Sequence, residues 1–230
     1  MSEGAINFYE KTKKQKFINP NINIHGINIP FRMLISAPSG AGKSNCLMNL
    51  IYHMNETFHE IILCVKSSDE PLYELMINRL EDAVKVFEDG EVPPITDFSS
   101  IDEKTKRLKR KDKYQRLIVF DDLITDKRAN QKAKEYYVKG RKLGFSSCYI
   151  GQSFYQIPKM IRDNCQYFCL GRNLLNKDLR MILTCFPTDL TLSEFIDLYN
   201  SMTRDGLDTM MINIENKTAR RNIVGDAENL

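Results

Sequence analysis

The chain has no tryptophan, only three histidines, and six cysteines among which no C-x-x-C pair occurs. His25, His53 and His59 lack metal-ligand spacing, so neither residue type outlines a zinc site. Cys46, Cys64, Cys148, Cys165, Cys169 and Cys185 fall mostly in apolar runs. They are expected to be reduced core thiols in a cytosolic setting, not a disulfide framework. No apolar run approaches the roughly 18–20 residues of a membrane span, so none is expected. The N-terminus carries Lys11, Lys13, Lys14 and Lys16 and no apolar stretch, so a secreted protein is not expected. Excess charge of one sign is also missing: the formal net charge is +3, which does not by itself demand a nucleic-acid partner. Internal repeats and low-complexity domains are absent. What remains is a chain of 230 residues, 42% apolar and 27% charged, able to bury one substantial core.

Its most specific feature is Ala37-Pro38-Ser39-Gly40-Ala41-Gly42-Lys43-Ser44, directly after the apolar run Phe31–Ser36. A strand closing on Gly-Lys-Ser is a phosphate-binding loop. Small residues let the backbone N–H groups of Ser39, Gly40, Ala41, Gly42, Lys43, Ser44 and Asn45 curl around phosphates. Lys43 reaches the β- and γ-phosphates, and the Ser44 hydroxyl is a ligand for Mg²⁺. A helix over 43–54 turns its positive end toward the same anion. The first position of the G-x-x-x-x-G-K-S pattern is Ala37 instead of glycine, a small departure. The reading implies ATP and Mg²⁺ as cofactors.

Downstream, Leu117-Ile118-Val119-Phe120 runs into Asp121-Asp122. Continuous apolar runs suit buried parallel strands, and acids at their C-terminal ends stand where ligands bind in open α/β sheets. Asp121 is expected to hold Mg²⁺, and Asp122 to polarise the attacking water. The bland alternative is a strand that happens to end in an acidic turn. The next strand, Ser146–Gly151, ends at Gln152, an amide that can reach a γ-phosphate or the lytic water; otherwise it is an ordinary loop residue. Arg141, in Lys139-Gly140-Arg141-Lys142-Leu143-Gly144, has two open readings. It is a helix-terminal charge complementing the dipole, or an arginine finger offered to a neighbouring subunit.

Elsewhere the chain alternates between strand and helix patterns. Strands are expected at 31–37, 60–66, 84–87, 115–121, 145–151, 166–170 and 209–214. Helices are expected at 43–54, 70–80, 128–142, 158–163, 176–184 and 191–203. The alternation predicts an α/β fold with a mostly parallel central sheet and helices on both faces. Residues 1–30 read as an arm or irregular lead-in, with Ile22, Ile24, Ile27 and Ile29 alternating as a short edge strand at best. Residues 31–230 read as a single domain, with 173–230 adding C-terminal helices and a strand. Residues 88–113 read as an insertion loop. The basic residues Lys104, Lys106, Arg107, Lys109, Arg110, Lys111, Lys113 and Arg116 are opposed inside their window only by Asp112. They form either a solvated mobile loop or a patch that contacts DNA phosphates. Asp178, Asp189, Glu194 and Asp197 are spaced as helix-surface charges. Asn176-Lys177-Asp178-Leu179 lacks the spacing of a guanine-reading N-K-x-D motif.

The ordered set Ala37–Ser44, Leu117–Asp122, Gly140–Ser146, Gly151-Gln152-Ser153-Phe154 and Ile157–Arg162 resembles the genome-packaging ATPases of large nucleocytoplasmic DNA viruses and of virophages, within the FtsK–HerA superfamily. The resemblance covers roughly residues 30–172. It implies a RecA-like ASCE core with an extra strand between the P-loop strand and the Asp-Asp strand. It further implies a homo-oligomeric ring, hexameric or pentameric, with ATP at the subunit interfaces. The substrate would be double-stranded DNA driven into a preformed capsid, with a capsid or vertex protein as partner and the host cytoplasm (viral factory) or virion as location. Under it, Lys43, Asp122, Gln152 and Arg141 are the catalytic set. Asp122 takes the place where relatives often carry Glu, one methylene longer, Gln152 that of a γ-phosphate sensor, and Arg141 that of a trans-acting arginine. Arg162 is a further basic candidate. The alternatives are another P-loop NTPase, of nucleotide-kinase or GTPase kind, or a nucleotide-dependent assembly scaffold.

Overall fold

A computed structural model describes residues 17–95, 99–101, 108–110 and 115–230. Along the chain run α1 (Ile22–His25), β1 (Arg32–Ser36), α2 (Lys43–His53), β2 (Phe58–Cys64), α3 (Pro71–Leu80) and β3 (Val84–Phe87). Then come β4 (Ser99–Ile101), β5 (Leu108–Arg110), β6 (Gln115–Asp121), α4 (Lys127–Lys139), β7 (Phe145–Gly151), α5 (Lys159–Arg162) and β8 (Tyr167–Gly171). The chain ends with α6 (Asn176–Leu183), α7 (Leu192–Met202), β9 (Thr209–Asn213), β10 (Thr218–Arg221) and β11 (Ala227–Asn229).

Nine strands form one sheet in the order β11-β10-β9-β8-β1-β7-β6-β2-β3. The six from β8 to β3 are parallel, while β9, β10 and β11 add on in antiparallel fashion. β7 lies between β1, which feeds the phosphate loop, and β6, which carries the two aspartates. This is the inserted strand that the resemblance implies.

Alternation along the strands divides the interior into two cores. Leu34, Ile118, Phe120, Phe168 and Leu170 point to one face and meet Tyr136, Ile161, Ile182 and Phe195 of α4–α7. Met33, Ile35, Leu117, Val119 and Cys169 point to the other and meet Leu47, Leu50, Tyr73 and Met76 of α2 and α3. With both faces covered, the central strands are continuously apolar for a physical reason. Each fully buried Leu, Ile or Phe contributes about 1.5–3 kcal/mol. Local signals agree with this layering. Asp126 caps α4 by accepting from Arg128 N and Ala129 N, and Thr191 and Glu194 form a capping box on α7. All six cysteines are free, and five are buried.

Three expectations need correction. Residues 22–25 are a helical turn, not an edge strand, and Gly26 closes it in the left-handed conformation at φ 63°. That segment is also fastened down, since His25 and Ile27 are buried and Asn28 N donates to Tyr167 Oη at 3.0 Å. The C-terminal region holds three strands where one was expected, because β10 and the edge strand β11 are polar and lack an apolar run. Within the basic insertion, β4 and β5 pair antiparallel and carry Lys109 and Arg110. Lys104, Lys106, Arg107, Lys111 and Lys113 lie outside the described residues.

Candidate nucleotide-binding site

Parallel strands end together, so their C-terminal loops share one edge of the sheet. Ser36 is in register with Gly151, and Ile150 with Asp121. The phosphate loop, Asp121-Asp122 and Gln152 therefore converge. Gly40 and Gly42 have φ of 73° and 80°, a backbone that L side chains rarely adopt and that glycine allows. Gly42 caps α2, so the free N–H groups of its first turn face the loop. Lys43 Nζ donates to Pro38 O at 3.0 Å. Burial pushes the Lys43 ammonium pKa down, and Asp121, Asp122 and Glu70 oppose that shift.

The two aspartates are not equivalent. Asp121 accepts a hydrogen bond from Tyr73 Oη at 2.5 Å. Burial pushes its carboxyl pKa up; the Tyr73 bond and Lys43 counter this, while Glu70 and Asp122 add to it. Asp122 is half-exposed, pairs with Lys66 Nζ at 3.4 Å, and has φ 53°. A non-glycine residue there costs about 1–3 kcal/mol and is sustained only by its surroundings. Tyr73 and Lys66 carry no sequence signal of their own. Strand order β6-β2 brings β2 and the helix after it beside the acids.

Gln152 follows β7 and is exposed. Its loop is held by Asp178, which accepts from Ser153 Oγ at 3.0 Å and from Tyr155 N at 2.8 Å. Asp178 is thus no surface charge: it is 1% exposed. Glu194 is an exposed charge, as expected, and it also closes the α7 capping box. Arg141 is not brought to the site. It sits in a 3-10 turn (Gly140–Leu143) that leads into the start of β7, at the opposite edge of the sheet. Seven strand residues of about 3.3 Å each separate it from Gln152, roughly 20 Å in all. Arg162 lies over the Phe154 ring, 5.3 Å from its centroid, and its guanidinium meets the Met181 sulfur.

A further element of the site was invisible in sequence. A Cβ on Gly171, at the end of β8, would stand 2.5 Å from Ala37 Cβ and 3.1 Å from Ala41 O. The glycine missing from the first loop position has its counterpart here, and the bare Gly171 leaves room for the Ala37 methyl. Tyr199 Oη donates to Gly171 O at 2.6 Å and accepts from Leu174 N at 2.9 Å, fixing this floor under the loop.

A phosphate loop at the carboxyl edge of a parallel sheet, an inserted strand and a partly buried acid two strands away define a P-loop NTPase, and the chain is an ATPase. A model of the poxvirus A32 protein family matches residues 23–221, and the chain belongs to that family. The resemblance to viral genome-packaging ATPases is thereby borne out. A search of curated proteins gave no match. Among solved structures, the genome packaging NTPase B204 from Sulfolobus turreted icosahedral virus 2, in complex with AMPPCP, is similar in fold. Its TM-score is 0.57 at 11% identity, covering 88% of this chain and 100% of that one. EssC (ATPases 2 and 3) from Geobacillus thermodenitrificans gives 0.51 at 13% identity, covering 86% of this chain and 39% of that one. The cytoplasmic domain of the type VII secretion ATPase EccC from Thermomonospora curvata gives 0.57 at 12%, with coverages of 84% and 25%. The chain thus spans well under half of EssC and EccC. Among the described residues no helix is long and apolar enough to cross a membrane.

The Tyr73–Asp121 bond yields a pH prediction. Asp121 has a raised pKa in the folded state, so its ionisation costs stability. That stability is fully present below the unfolded pKa and is lost as pH rises through the folded one. Tyr73→Phe removes an influence that lowers the Asp121 pKa, so the value rises further. The acid limb of ATP hydrolysis is expected to move to higher pH, with a stability loss of about 1–3 kcal/mol at neutral pH. A pH–rate profile superimposable on that of the parent would remove Tyr73 from the site.

Proposed function

We propose that this protein is the motor that drives double-stranded viral DNA into a preformed capsid. It would work as a homo-oligomeric ring, hexameric or pentameric, with ATP at the subunit interfaces. The observation that carries this reading is the split of the catalytic set. Lys43, Asp121, Asp122 and Gln152 share one edge of the sheet, while Arg141 lies roughly 20 Å away by strand length. An arginine so placed can reach only a neighbour's nucleotide, and a ring supplies that neighbour.

In this scheme the backbone N–H groups of 39–45 and Lys43 hold the phosphates. Hydrolysis then depends on positioning and charge stabilisation more than on covalent help. Asp122 orients the attacking water, and Gln152 contacts the γ-phosphate. The water oxygen bonds to phosphorus as the bond to ADP breaks, and the water proton leaves toward Asp122. Ser44 and Asp121 offer the hard oxygen donors that Mg²⁺ prefers, and the partly buried Asp121 carboxylate would gain by facing a cation. Among the described residues no group of three or more His, Cys, Asp or Glu could hold a metal alone. Mg²⁺ would supply charge neutralisation at the β- and γ-oxygens.

Lys109 and Arg110 of β5, with Lys104, Lys106, Arg107, Lys111 and Lys113, are assigned to DNA phosphates; Arg116 is withdrawn from that patch, because it is buried in β6, donates to Leu143 O at 3.1 Å and lies over the Phe145 ring. The partner at the capsid would be a shell or vertex protein, and the setting the infected host's cytoplasm or the virion. The test is steady-state ATP hydrolysis with and without long double-stranded DNA at two salt concentrations. Stimulation by DNA that falls steeply at high salt is expected, because phosphate contacts release counterions. Hydrolysis indifferent to DNA at both salts would favour another P-loop enzyme, and nucleotide binding without turnover would favour a scaffold.

A further inference from the structure

The turn that carries Arg141 is clasped from both sides. On one side stands Arg32, the first residue of β1, in register with Ser147 of β7. Its Nη1 donates to Tyr137 O at 3.1 Å and to Asn164 Oδ1 at 3.1 Å. Tyr137 lies in the last turn of α4, just before the 3-10 turn Gly140–Leu143. A cation there also complements the negative end of the helix. Asn164 follows α5 and is itself fixed, since its Nδ2 donates to Met160 O at 2.8 Å. Tyr137 Oη donates to Met33 O at 2.5 Å, a second tie between α4 and β1. On the other side Arg116 Nη2 donates to Leu143 O at 3.1 Å. Gly144 ends the turn at φ 79°, and a Cβ on Gly140 would stand 3.3 Å from Phe145 Cβ.

Arg141 is exposed, and its side chain makes no hydrogen bond or ion pair among the described residues. Where so long a side chain reaches is therefore decided by the backbone turn beneath it. Arg32 bears on its direction as well. Burial pushes the Arg32 guanidinium pKa down, and the like charge of Arg141 pushes it further. Two neighbouring cations repel, so Arg141 is turned away from the end of α4 and toward solvent. Stability alone does not account for Arg32. Its Nε is buried without a partner among the described residues, an arrangement that costs free energy and that an apolar residue of similar volume would avoid. Such a residue would lack the two bonds that join Tyr137 to Asn164.

An arginine acting on a neighbour's phosphates can contribute about 10³–10⁵ in rate, and a misplacement of about 1 Å can cost on the order of 10²-fold. We infer that Arg32 is the positioning residue of Arg141: by tying the last turn of α4 to Asn164, it fixes the turn from which Arg141 reaches a neighbouring subunit's nucleotide. Arg32 itself touches no substrate. This rests on the catalytic role proposed for Arg141, and the test separates the two.

Steady-state ATP hydrolysis with long double-stranded DNA is measured for the full-length parent, Arg141→Ala, Arg32→Met, Arg32→Lys and the double variant Arg141→Ala with Arg32→Met. Methionine keeps the apolar stem and removes the donors. Arg141→Ala is expected to lower kcat by about 10²-fold or more with KM little changed, the mark of an interaction made in the transition state. Arg32→Met is expected to lower kcat by about tenfold or more, again with KM little changed. The double variant should be no slower than Arg141→Ala alone, because an arginine already absent cannot be misplaced. Arg32→Lys, which restores a donor at the same place, should recover part of the loss. A kcat for Arg32→Met within about twofold of the parent, beside a slow Arg141→Ala, overturns the positioning role alone. Losses that multiply in the double variant also overturn it, because Arg32 would then support the fold or the phosphate loop at the other end of β1. Arg141→Ala turning over at the parent's rate overturns the catalytic role of Arg141, and the positioning role with it. Should Arg32→Met fail to unfold cooperatively in urea, Asn164→Ala carries the same test, since it removes only the anchor of Arg32.

Discussion

Lys43→Ala is expected to lower the ATP turnover number by about 10³-fold or more, in line with removal of a preorganised charge-stabilising donor. Secondary structure and cooperative unfolding should be preserved. Lys43 is half-buried at the head of α2 and donates to the Pro38 carbonyl of its own loop. Its loss therefore leaves the two cores intact. It does remove a cation that favours the ionised form of Asp121, so the variant should lose stability most where that acid is ionised. Turnover within tenfold of the parent would take the loop out of the mechanism. Circular dichroism and urea unfolding on the same preparation would distinguish a dead site from a misfolded chain.

The second large effect is expected at Gly171, which touches no substrate. Gly171→Ala places a methyl 2.5 Å from Ala37 Cβ, close to the Ala41 carbonyl as well. Neither neighbour is the far end of a flexible side chain, and the Tyr199 bond holds the Gly171 backbone from beneath. The loop must therefore give way. Overpacking of this kind costs about 1–3 kcal/mol. Because the displaced atoms form the phosphate cradle, nucleotide affinity should fall along with stability. The decisive control is the double variant Gly171→Ala with Ala37→Gly, which moves the methyl from one side of the contact to the other. It should recover most of both losses, a coupling that only residues in contact show. Losses that simply add would mean that the two positions do not share this space.

These two residues mark how far the sequence could be read. Lys43 is legible because its neighbours along the chain define its job: glycines for the turn, an apolar strand before, a helix after. Asp121 is legible for the same reason, at the end of Leu117–Phe120. Gly171, Tyr73, Lys66 and Asp178 are not, because each acquires its role from a segment far away in sequence that only the strand order brings near. Asp178 shows this most clearly, since its spacing in α6 is that of a surface charge and only the loop after β7 makes it buried. The strands β10 and β11, at the margin of the sheet, escaped notice because short strands with few apolar residues leave no periodic mark. The turn at Ile22–His25 misled through an alternation of isoleucines too short to outweigh the glycine that ends it.

The bonds from Ser153 and Tyr155 to Asp178 have a mechanical meaning. Gln152 sits at the tip of a short span clamped at both ends, by β7 on one side and by the first turn of α6 on the other. Such a span has little slack, so a displacement imposed on Gln152 by the gain or loss of a phosphate cannot die out in the loop. It is passed to α6 and on to α7, which packs against it, and through the Tyr199 hydroxyl back to the bed of the phosphate loop. The two helices after β8 thus act as a stiff crank joined at one end to the sensing amide and at the other to the cradle.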